Sequence, residues 1–243
     1  MTKHISVCMT TYNGSQFIKE QIDSILKQLG TEDEVIITDD HSTDSTCQII
    51  QEYQDKRIKF FKNPQRLGHV QNFSKSISLA TGEYIFLSDQ DDIWSESRVA
   101  KMLNLIKDAA PNTLVIGDFL EISSQGDPLS ENKSLGETPA IRWIALSNIF
   151  LGRAKYFGCA YLFRSEFKKI ILPIPAPIES HDIWIAMNAC IHGKIVHCQE
   201  PTLYRRIHGN NLTPNRRRGL YKIVKSRLIY FWYLFGRLAR PHV

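Results

Sequence analysis

Short apolar runs of strand length alternate with stretches of helical periodicity through the first third of this 243-residue chain. The runs are ISVCM (5–9), VIIT (35–38), IKFF (58–61) and YIFLS (84–88). Between the first two runs, Ile18, Ile22 and Ile25 recur at the spacing of one helix face. Strands that alternate with helices are typical of parallel βαβ units. The sequence therefore predicts an α/β fold with a mostly parallel central sheet covered on both faces.

Polar clusters follow three of these predicted strands. They are TTYNG (10–14), DDHSTDST (39–46) and SDQDDIW (88–94). Ligands of open α/β sheets bind beyond the carboxyl ends of the strands. The three clusters are therefore predicted to line one binding crevice.

The last of these clusters holds three acids, Asp89, Asp91 and Asp92, within four positions. A single Asp here would be explained by helix capping and solvation. Three like charges repel one another, so a cation that prefers oxygen ligands is the natural counter-charge. Mg²⁺ or Mn²⁺ suits that role, held by carboxylates together with substrate phosphates. An Asp-x-Asp match alone is weak, because chance produces many.

The other two clusters add candidates for nucleotide recognition. Asp40 is suited to accept the N–H of a pyrimidine base, and Thr10, Tyr12 and Asn13 are expected in the same crevice. The structural alternatives are edge packing for Tyr12, and turn formation with helix capping for Asp39 and Asp40.

The remainder of the chain completes one domain. Apolar residues at 113–122 precede a turn-rich loop at 123–139, and a helix at 141–151, a strand at 159–163 and a helix at 183–190 are predicted to follow. Five cysteines without a CxxC pair favour reduced thiols over disulfides or zinc. The N-terminus lacks the features of a secretory signal, so a cytoplasmic location is predicted.

Four segments together resemble the family 2 glycosyltransferases, which are inverting enzymes of the GT-A fold that use nucleotide sugars. They are ISVCMTTYNGSQFIKEQIDSIL, IITDDHSTDST, NFSKSISLATGEYIFLSDQDDIW and YRRIHGNN. The resemblance covers about the first 95 residues and returns at 179–211. It implies a GT-A domain over 1–212, with a nucleotide-sugar half (1–110) and an acceptor and catalytic half (111–212).

The resemblance also implies roles for individual residues. Asp91 matches the direct metal ligand of the family. Asp89 matches a residue that contacts the ribose and sugar of the donor, and it is also a candidate metal ligand. Asp92 is expected to support the turn. His208 is a further candidate ligand of the metal or a phosphate, and Arg205 or Arg206 is a candidate phosphate partner. The implied donor-binding residues are Thr10, Thr11, Tyr12, Asn13, Asp40, Arg66, Asn72, Asp89, Gln90 and Arg205.

Inversion needs a base that takes the proton of the acceptor hydroxyl. The resemblance implies Asp182, at the head of the helix-like run HDIWIAMNA, where Asp is also favoured as an N-cap. Relatives often have an acid before this Asp, whereas this chain has His181, which is suited to orient a carboxylate or contact the acceptor. Glu179 remains an alternative base.

The last 31 residues (213–243) form a basic, aromatic tail. Ten of the 30 Lys and Arg residues lie after Glu200, and none of the 25 acids does. Its apolar run is too short to span a bilayer, so we expect a basic amphipathic helix on an anionic membrane surface. A helix docked on its own domain and an oligomer contact are the alternatives, and the oligomeric state stays open. No nucleic-acid-binding motif accompanies the charge, so no nucleic-acid partner is expected.

Membrane attachment favours a lipid-linked saccharide acceptor, in synthesis of a bacterial surface polysaccharide such as O-antigen or capsule on the cytoplasmic face of the inner membrane. The segments SDQDDIW and SHDIW are similar to those of dTDP-rhamnose-dependent members, and UDP-sugars remain open as donors. The chain lacks the QxxRW motif of processive members, so transfer of one sugar per encounter is predicted. Two other hypotheses are a nucleotidyltransferase acting on sugar phosphates and a non-catalytic nucleotide-sugar-binding, membrane-associated protein.

Overall fold

The computed structural model describes residues 4–129, 135–138, 141–154, 156–209, 211 and 220–238. The parts of the predicted tail at 213–219 and 239–243 lie outside these residues. The first half of the fold comprises β1 (Ile5–Thr11), α1 (Ile18–Leu26), β2 (Glu34–Asp39), α2 (Thr46–Gln51), β3 (Ile58–Lys62), α3 (His69–Leu79) and β4 (Tyr84–Ser88). The second half comprises β5 (Ile93–Trp94), α4 (Arg98–Ile106), β6 (Thr113–Ile122), α5 (Arg142–Phe150), β7 (Tyr161–Arg164), α6 (Lys168–Ile171), α7 (His181–His192), β8 (Lys194–Arg206) and α8 (Leu220–Leu238).

One eight-stranded sheet organises the fold, in the order β3-β2-β1-β4-β7-β6-β8-β5. The first four strands in this order pair in parallel, as do β6 and β8. Strands β7 and β5 pair with their neighbours in antiparallel fashion. The prediction of a mostly parallel α/β sheet is confirmed. Because β1, β2 and β4 run in parallel, their carboxyl ends meet at one edge, which is where the polar clusters lie.

Alternation along the strands divides the core between the two faces of the sheet. Cys8 and Ile36 belong to an apolar cluster on one face, while their neighbours Val7 and Val35 belong to a second cluster on the other. Helices α3 and α7 contribute to the first cluster, and α1 and α4 to the second. Both faces are therefore covered, as the near-continuous apolar strands predicted.

Strand β8 was not predicted from the sequence. It is 13 residues long and pairs in parallel with β6, with register shifts around Asp118 opposite Pro201. Proline and the exposed Gln199 and Glu200 interrupt its apolar pattern, so periodicity does not reveal it. Pairing with β6 nevertheless carries β8 to Arg205 and Arg206, at the same edge of the sheet as the acid cluster.

Helix α8 packs on its own domain through one face. Tyr230 and Leu234 are 1% and 3% exposed and belong to the same core cluster as α7. The opposite face leaves Trp232 76% exposed. Within the described residues, no helix is both long enough and apolar enough to cross a bilayer.

Candidate active site

A cavity of about 490 Å³ opens at the carboxyl ends of β1, β2 and β4. Most of the predicted site residues line it, namely Thr10, Thr11, Tyr12, Asp40, Arg66, Asn72, Asp89, Gln90, Asp91, His181 and Arg205. The parallel register explains this convergence, because Thr11 lies opposite Asp39 and Met9 lies opposite Ser88. Residues that are far apart in the sequence thus leave the sheet side by side.

The loop after β1 is held by side chains from neighbouring loops. Gln90 pairs with both main-chain groups of Tyr12: its Oε1 accepts from the N–H at 2.8 Å and its Nε2 donates to the carbonyl at 3.1 Å. Asn13 has a positive φ of 48°, and its Oδ1 accepts the N–H of Thr43 at 2.9 Å. The predicted donor ligands Gln90 and Asn13 therefore shape the loop, and Asn13 lies outside the cavity lining.

The two acids after β2 are placed differently. Asp39 accepts hydrogen bonds from the Thr11 and Ser42 hydroxyls and from the Ser42 N–H. These bonds fit the alternative prediction that Asp39 forms the turn after β2. Asp40 lines the cavity, and its two oxygens accept the N–H groups of Leu67 and Gly68 at 2.6 and 2.9 Å. Carboxylate oxygens have further lone pairs, so Asp40 keeps the capacity to accept from a base.

Arg66 lines the cavity beside Tyr12 and Asp40. Its guanidinium lies 3.7 Å from the centre of the Tyr12 ring, and its Nε lies 3.9 Å from Asp40 Oδ2. Stacking of a guanidinium on an aromatic ring is favourable and leaves the outer face of Arg66 available. The arrangement gives the cavity a flat, cationic wall beside the proposed base-binding carboxylate.

Asn72 has a structural position in the cavity wall. Its side-chain amide donates to the Thr38 carbonyl at 2.8 Å and accepts from Asn63 at 2.9 Å, and the residue is 1% exposed. A sugar nucleotide could contact Asn72 only by sharing the amide groups that already bind Thr38 and Asn63.

The acid cluster concentrates negative charge in a buried place. Burial, together with the Asp91 and Asp92 carboxylates, raises the pKa of Asp89 to about 8. Burial and Asp91 likewise raise the pKa of Asp92 to about 7. Oδ2 of Asp92 is buried without a hydrogen-bond partner among the described residues. His208 Nε2 lies 2.8 Å from Asp91 Oδ2, so the predicted ligand pair is brought together.

These residues fit a divalent cation. Carboxylate oxygens and an imidazole nitrogen are suitable ligands for Mn²⁺, and a cation would relieve the repulsion that raises the pKa values of the acids. Ligand atoms of Asp89, Asp92 and Cys159 also lie within 4.8 Å of one another. Burial raises the pKa of the Cys159 thiol well above its ordinary value, and a protonated thiol is a poor ligand for a hard cation. Asp91 and His208 offer ligand atoms that a hard cation prefers, but among the described residues they do not form a group of three with Asp89 within 4.8 Å, so the predicted set of Asp91, Asp89 and His208 stays a prediction.

The two arginines that end β8 differ in accessibility. Arg205 lines the cavity, stacks on the Phe157 ring at 4.0 Å and lies 3.6 Å from Glu121. Arg206 is 2% exposed and donates to the Asp91 carbonyl at 3.0 Å and to Glu20 at 2.5 Å. Arg206 therefore fixes the acid-bearing loop to α1, which leaves Arg205 as the candidate phosphate partner.

The first turn of α7 places Asp182 beside the cavity. Ser180 is the N-cap, and its side chain accepts the N–H of Ile183 at 3.3 Å, so the capping role predicted as an alternative for Asp182 belongs to Ser180. Asp182 Oδ1 lies 2.8 Å from His181 Nε2. Burial opposes ionisation, yet His181 and the Gly158 N–H bring the net pKa of Asp182 below its ordinary value. Glu179 is exposed and lies outside the cavity lining.

Three residues beside Asp182 were not among the predicted site residues. A Cβ at Gly158 would lie 2.3 Å from His181 Nε2 and 3.0 Å from Asp182 Oδ1, so only glycine fits there. The ring of Phe73 stacks on the ring of His181, with 3.9 Å between the ring centres. The ring of His69 lies edge-on to the same His181 ring, with 6.1 Å between the centres. Phe73 lies within one of the four quoted segments, and Gly158 and His69 lie outside them. Nothing in the sequence points to their shared neighbourhood, because it is created by packing of α3, α7 and the turn before β7.

Comparison with known proteins identifies the family. The profile for glycosyl transferase family 2 matches residues 6–167. The chain belongs to glycosyl transferase family 2. The dTDP-rhamnosyl transferase RfbG of Shigella flexneri is 34% identical over 84% of this chain and 72% of its own length. An uncharacterized glycosyltransferase of Nostoc is 28% identical over 85% of this chain and 66% of its own length.

A solved structure shares the fold of this family 2 chain. It is that of TarS from S. aureus in complex with UDP-GlcNAc, with a TM-score of 0.73, 18% identity and coverage of 95% of this chain and 67% of the TarS chain. Several curated relatives are matched over less of their length, down to 35%, so this chain spans less than two thirds of those proteins. The predicted family and the GT-A-like α/β fold are confirmed.

Proposed function

We propose that the protein is an inverting, metal-dependent glycosyltransferase that moves one sugar from a pyrimidine nucleotide-diphosphate sugar to a saccharide acceptor. The observation that carries this proposal is the arrangement around one cavity. Asp40, Arg66 and Asp91 line it, His208 lies 2.8 Å from Asp91, and Asp182 lies 2.8 Å from His181, which also lines the cavity.

The residues divide the chemistry among them. Asp182 takes the proton of the acceptor hydroxyl as the oxygen of that hydroxyl attacks the anomeric carbon of the donor. The bond from this carbon to the diphosphate oxygen breaks, and its electron pair stays on the diphosphate oxygen. Arg205 is placed to donate hydrogen bonds to the departing diphosphate. A divalent cation held by Asp91, Asp89 and His208 would supply further neutralisation of the diphosphate charge.

The lowered pKa of Asp182 keeps it ionised at neutral pH, as a base must be. His181, 2.8 Å away, orients this carboxylate and replaces the acid that resembling sequences carry. His181 Nε2 faces the Asp182 carboxylate, and Nδ1 is buried without a hydrogen-bond partner among the described residues, so the ring serves to hold this carboxylate.

The donor is proposed to be dTDP-rhamnose or a UDP-sugar. RfbG is named a dTDP-rhamnosyl transferase, and the TarS structure contains UDP-GlcNAc. Both nucleotides carry a pyrimidine with the same N3–H, which Asp40 can accept. The acceptor is proposed to be lipid-linked, in synthesis of a bacterial surface polysaccharide. WfgD of Escherichia coli, 30% identical over 42% of this chain, is named as a glucosyltransferase acting on a diphosphoundecaprenol-linked sugar.

An apolar face built by α5 and α8 supports contact with an anionic membrane surface. Its exposed side chains are Ile141, Trp143, Ile144, Leu151, Val224, Leu228, Phe231, Trp232 and Phe235. The two helices adjoin, since Trp143 and Leu151 line one groove with Phe231 and Phe235. Neither helix contains an acid, whereas Arg142, Lys225 and Arg227 lie on them. Apolar side chains beside basic ones fit the boundary of an anionic bilayer.

Donor turnover tests the function. The full chain is incubated with Mn²⁺, one of dTDP-rhamnose, UDP-glucose or UDP-GlcNAc, and diphosphoundecaprenol-linked acceptors, and released nucleotide and glycosylated lipid are measured. We expect one donor to give product with inverted anomeric configuration, and Asp182→Asn to lower the transfer rate by about 10²- to 10⁴-fold while retaining donor binding. Asp108→Asn, which changes an exposed acid after α4, is the control. Pyrophosphate release from a nucleoside triphosphate, or a wild-type transfer rate in Asp182→Asn, would overturn the assignment.

A further inference from the structure

Helix α8 reaches the first turn of α7 through a single hydroxyl group. Tyr230 Oη accepts the N–H of Ser180 at 2.9 Å and donates to the Ser180 carbonyl at 3.0 Å. Both main-chain groups of the residue that caps α7 are thus bound by one side chain. Tyr230 is 1% exposed, so these bonds are shielded from water.

The same turn is also held by the sheet. Tyr161, the first residue of β7, donates its hydroxyl to the Asp182 carbonyl at 3.1 Å. Trp184 Nε1 donates to the Ile171 carbonyl at 2.8 Å, which anchors the next turn of α7. The main chain at 180–182 is therefore hydrogen-bonded by two buried tyrosine hydroxyls, one from β7 and one from α8.

These two hydroxyl groups fix the position of Asp182, because the residue lies two positions after Ser180 in the same turn. Its carboxylate must stay within reach of His181 and the Gly158 N–H, where the spacing is already tight. A rotation of the helix start would displace the carboxylate by a distance that matters for proton transfer. The predicted donor-binding side chains would not move, because they lie on other elements, namely β1, β8, α3 and the loops after β1, β2, β3 and β4.

We propose that Tyr230 is a positioning residue for the catalytic base, so that α8 completes the active site from outside the nucleotide-binding half of the fold. This inference rests on the proposed function, in which Asp182 is the base. It assigns to the inner face of α8 a role in catalysis that is separate from the outer, membrane-facing side chains.

The test compares Tyr230→Phe with Tyr233→Phe, a matched removal of one hydroxyl from the next residue of the same helix. Tyr233 is half-buried and packs against the core cluster. For Tyr230→Phe we expect kcat to fall by about tenfold or more, with the KM and Kd of the nucleotide sugar unchanged. Tyr233→Phe is expected to keep the wild-type kcat. All rates are referred to the concentration of donor-binding sites, which corrects for any unfolded fraction.

A double-mutant cycle separates positioning from general stability. If Tyr230 acts through the base, Tyr230→Phe has no further effect on the residual rate of Asp182→Asn. A wild-type kcat in Tyr230→Phe, equal losses in both Tyr→Phe variants, additive losses in the double mutant, or loss of donor binding would each overturn the inference. Failure of the proposed function is distinguishable, because then the wild type fails to transfer sugar or Asp182→Asn retains transfer.

Discussion

At the scale of single residues, the three acids after β4 have different surroundings. Asp91 pairs with His208, whereas Asp92 accepts the N–H of Arg206 at 3.0 Å and lies 3% exposed beneath it. Asp89 lines the cavity, and burial together with both neighbouring carboxylates raises its pKa to about 8. The proposed roles differ accordingly: Asp91 is a metal ligand, Asp89 is an acid toward the donor and the metal, and Asp92 is a structural acid.

Asp91→Asn is predicted to remove metal binding with little effect on the fold. The amide cannot supply the negative charge that attracts a cation, so the thermal shift produced by Mn²⁺ in the wild type should disappear. Transfer should fall by about a hundredfold or more, as for loss of a group that stabilises developing charge. Asp108→Asn is the control, and an unchanged Mn²⁺ shift in Asp91→Asn would contradict the ligand assignment.

Gly158→Ala is predicted to damage catalysis by displacing the base. The added methyl group would lie 2.3 Å from His181 Nε2 and 3.0 Å from Asp182 Oδ1, so both side chains must move. We expect kcat to fall by about a hundredfold while nucleotide binding is retained. Gly236→Ala, where a Cβ meets nothing within 4 Å, should leave kcat unchanged. Equal rates for the two variants would show that the geometry around Asp182 is not limiting.

At the scale of elements, buried polar groups join strands that are consecutive in the sheet but distant in sequence. Glu34, at the start of β2, is 2% exposed. It accepts from Ser6 on β1 at 2.5 Å, from Lys59 on β3 at 2.5 Å and from the N–H of Thr81 before β4 at 2.8 Å. One carboxylate thus connects the four parallel strands at the edge opposite to the cavity. It stabilises the sheet that positions the site.

This network predicts a pH dependence of stability. Burial opposes ionisation of Glu34, but the hydrogen bonds from Lys59, Ser6 and Thr81 outweigh it and lower its pKa from 4.5 to about 2. Because the folded-state pKa lies below the unfolded value, the stabilisation is present above pH 4.5 and is lost as the pH falls toward 2. Its size is about 2 kcal/mol, allowing for the half-exposed Lys59.

Urea unfolding of the wild type and Glu34→Gln measures this contribution. The difference in free energy of unfolding between the two proteins should be largest at neutral pH and shrink between pH 4.5 and the lowest pH at which the protein remains folded. A constant difference across that range would show that the charge of Glu34 is not what stabilises the sheet.

At the scale of the whole molecule, α5 and α8 place an apolar, acid-free face on the same part of the fold as α7. The described face includes Trp143, Leu228, Phe231 and Trp232, all more than half exposed. Contiguous exposed apolar surface of this kind marks an interaction site. Attachment through this face would hold the chain at the surface where a lipid-linked acceptor resides.

Sedimentation with vesicles tests the face without removing α8. The double variant Phe231→Ser, Trp232→Ser should lower the partition coefficient onto phosphatidylglycerol vesicles by at least about tenfold, since each buried aromatic side chain contributes about 1.5–3 kcal/mol. The control is Leu129→Ser, which alters an exposed side chain elsewhere on the surface. Binding of the wild type should weaken with added salt and on neutral vesicles. Equal sedimentation of both variants would assign the face to a protein partner instead.

Prediction from sequence succeeded where a feature follows from local order along the chain. The strand runs, the helix that carries Ile18, Ile22 and Ile25, and the polar clusters at strand ends each depend on neighbours within a few positions, so the α/β fold and the loops that line the cavity were predictable. It failed for β8, whose pairing with β6 overrides an irregular apolar pattern. It also failed for Gly158, whose importance depends on His181 in another element.

The sequence by itself determined the parallel α/β sheet, the edge at which the site lies and the acids available there, because periodicity and strand-end chemistry are local properties. Only the tertiary structure decided which of two adjacent acids lines the cavity, that Arg205 and not Arg206 faces it, and that Ser180 rather than Asp182 caps α7. It also placed the inner face of α8 against that cap. These outcomes depend on which elements pack together, and contacts between distant segments leave no periodic signal in the chain.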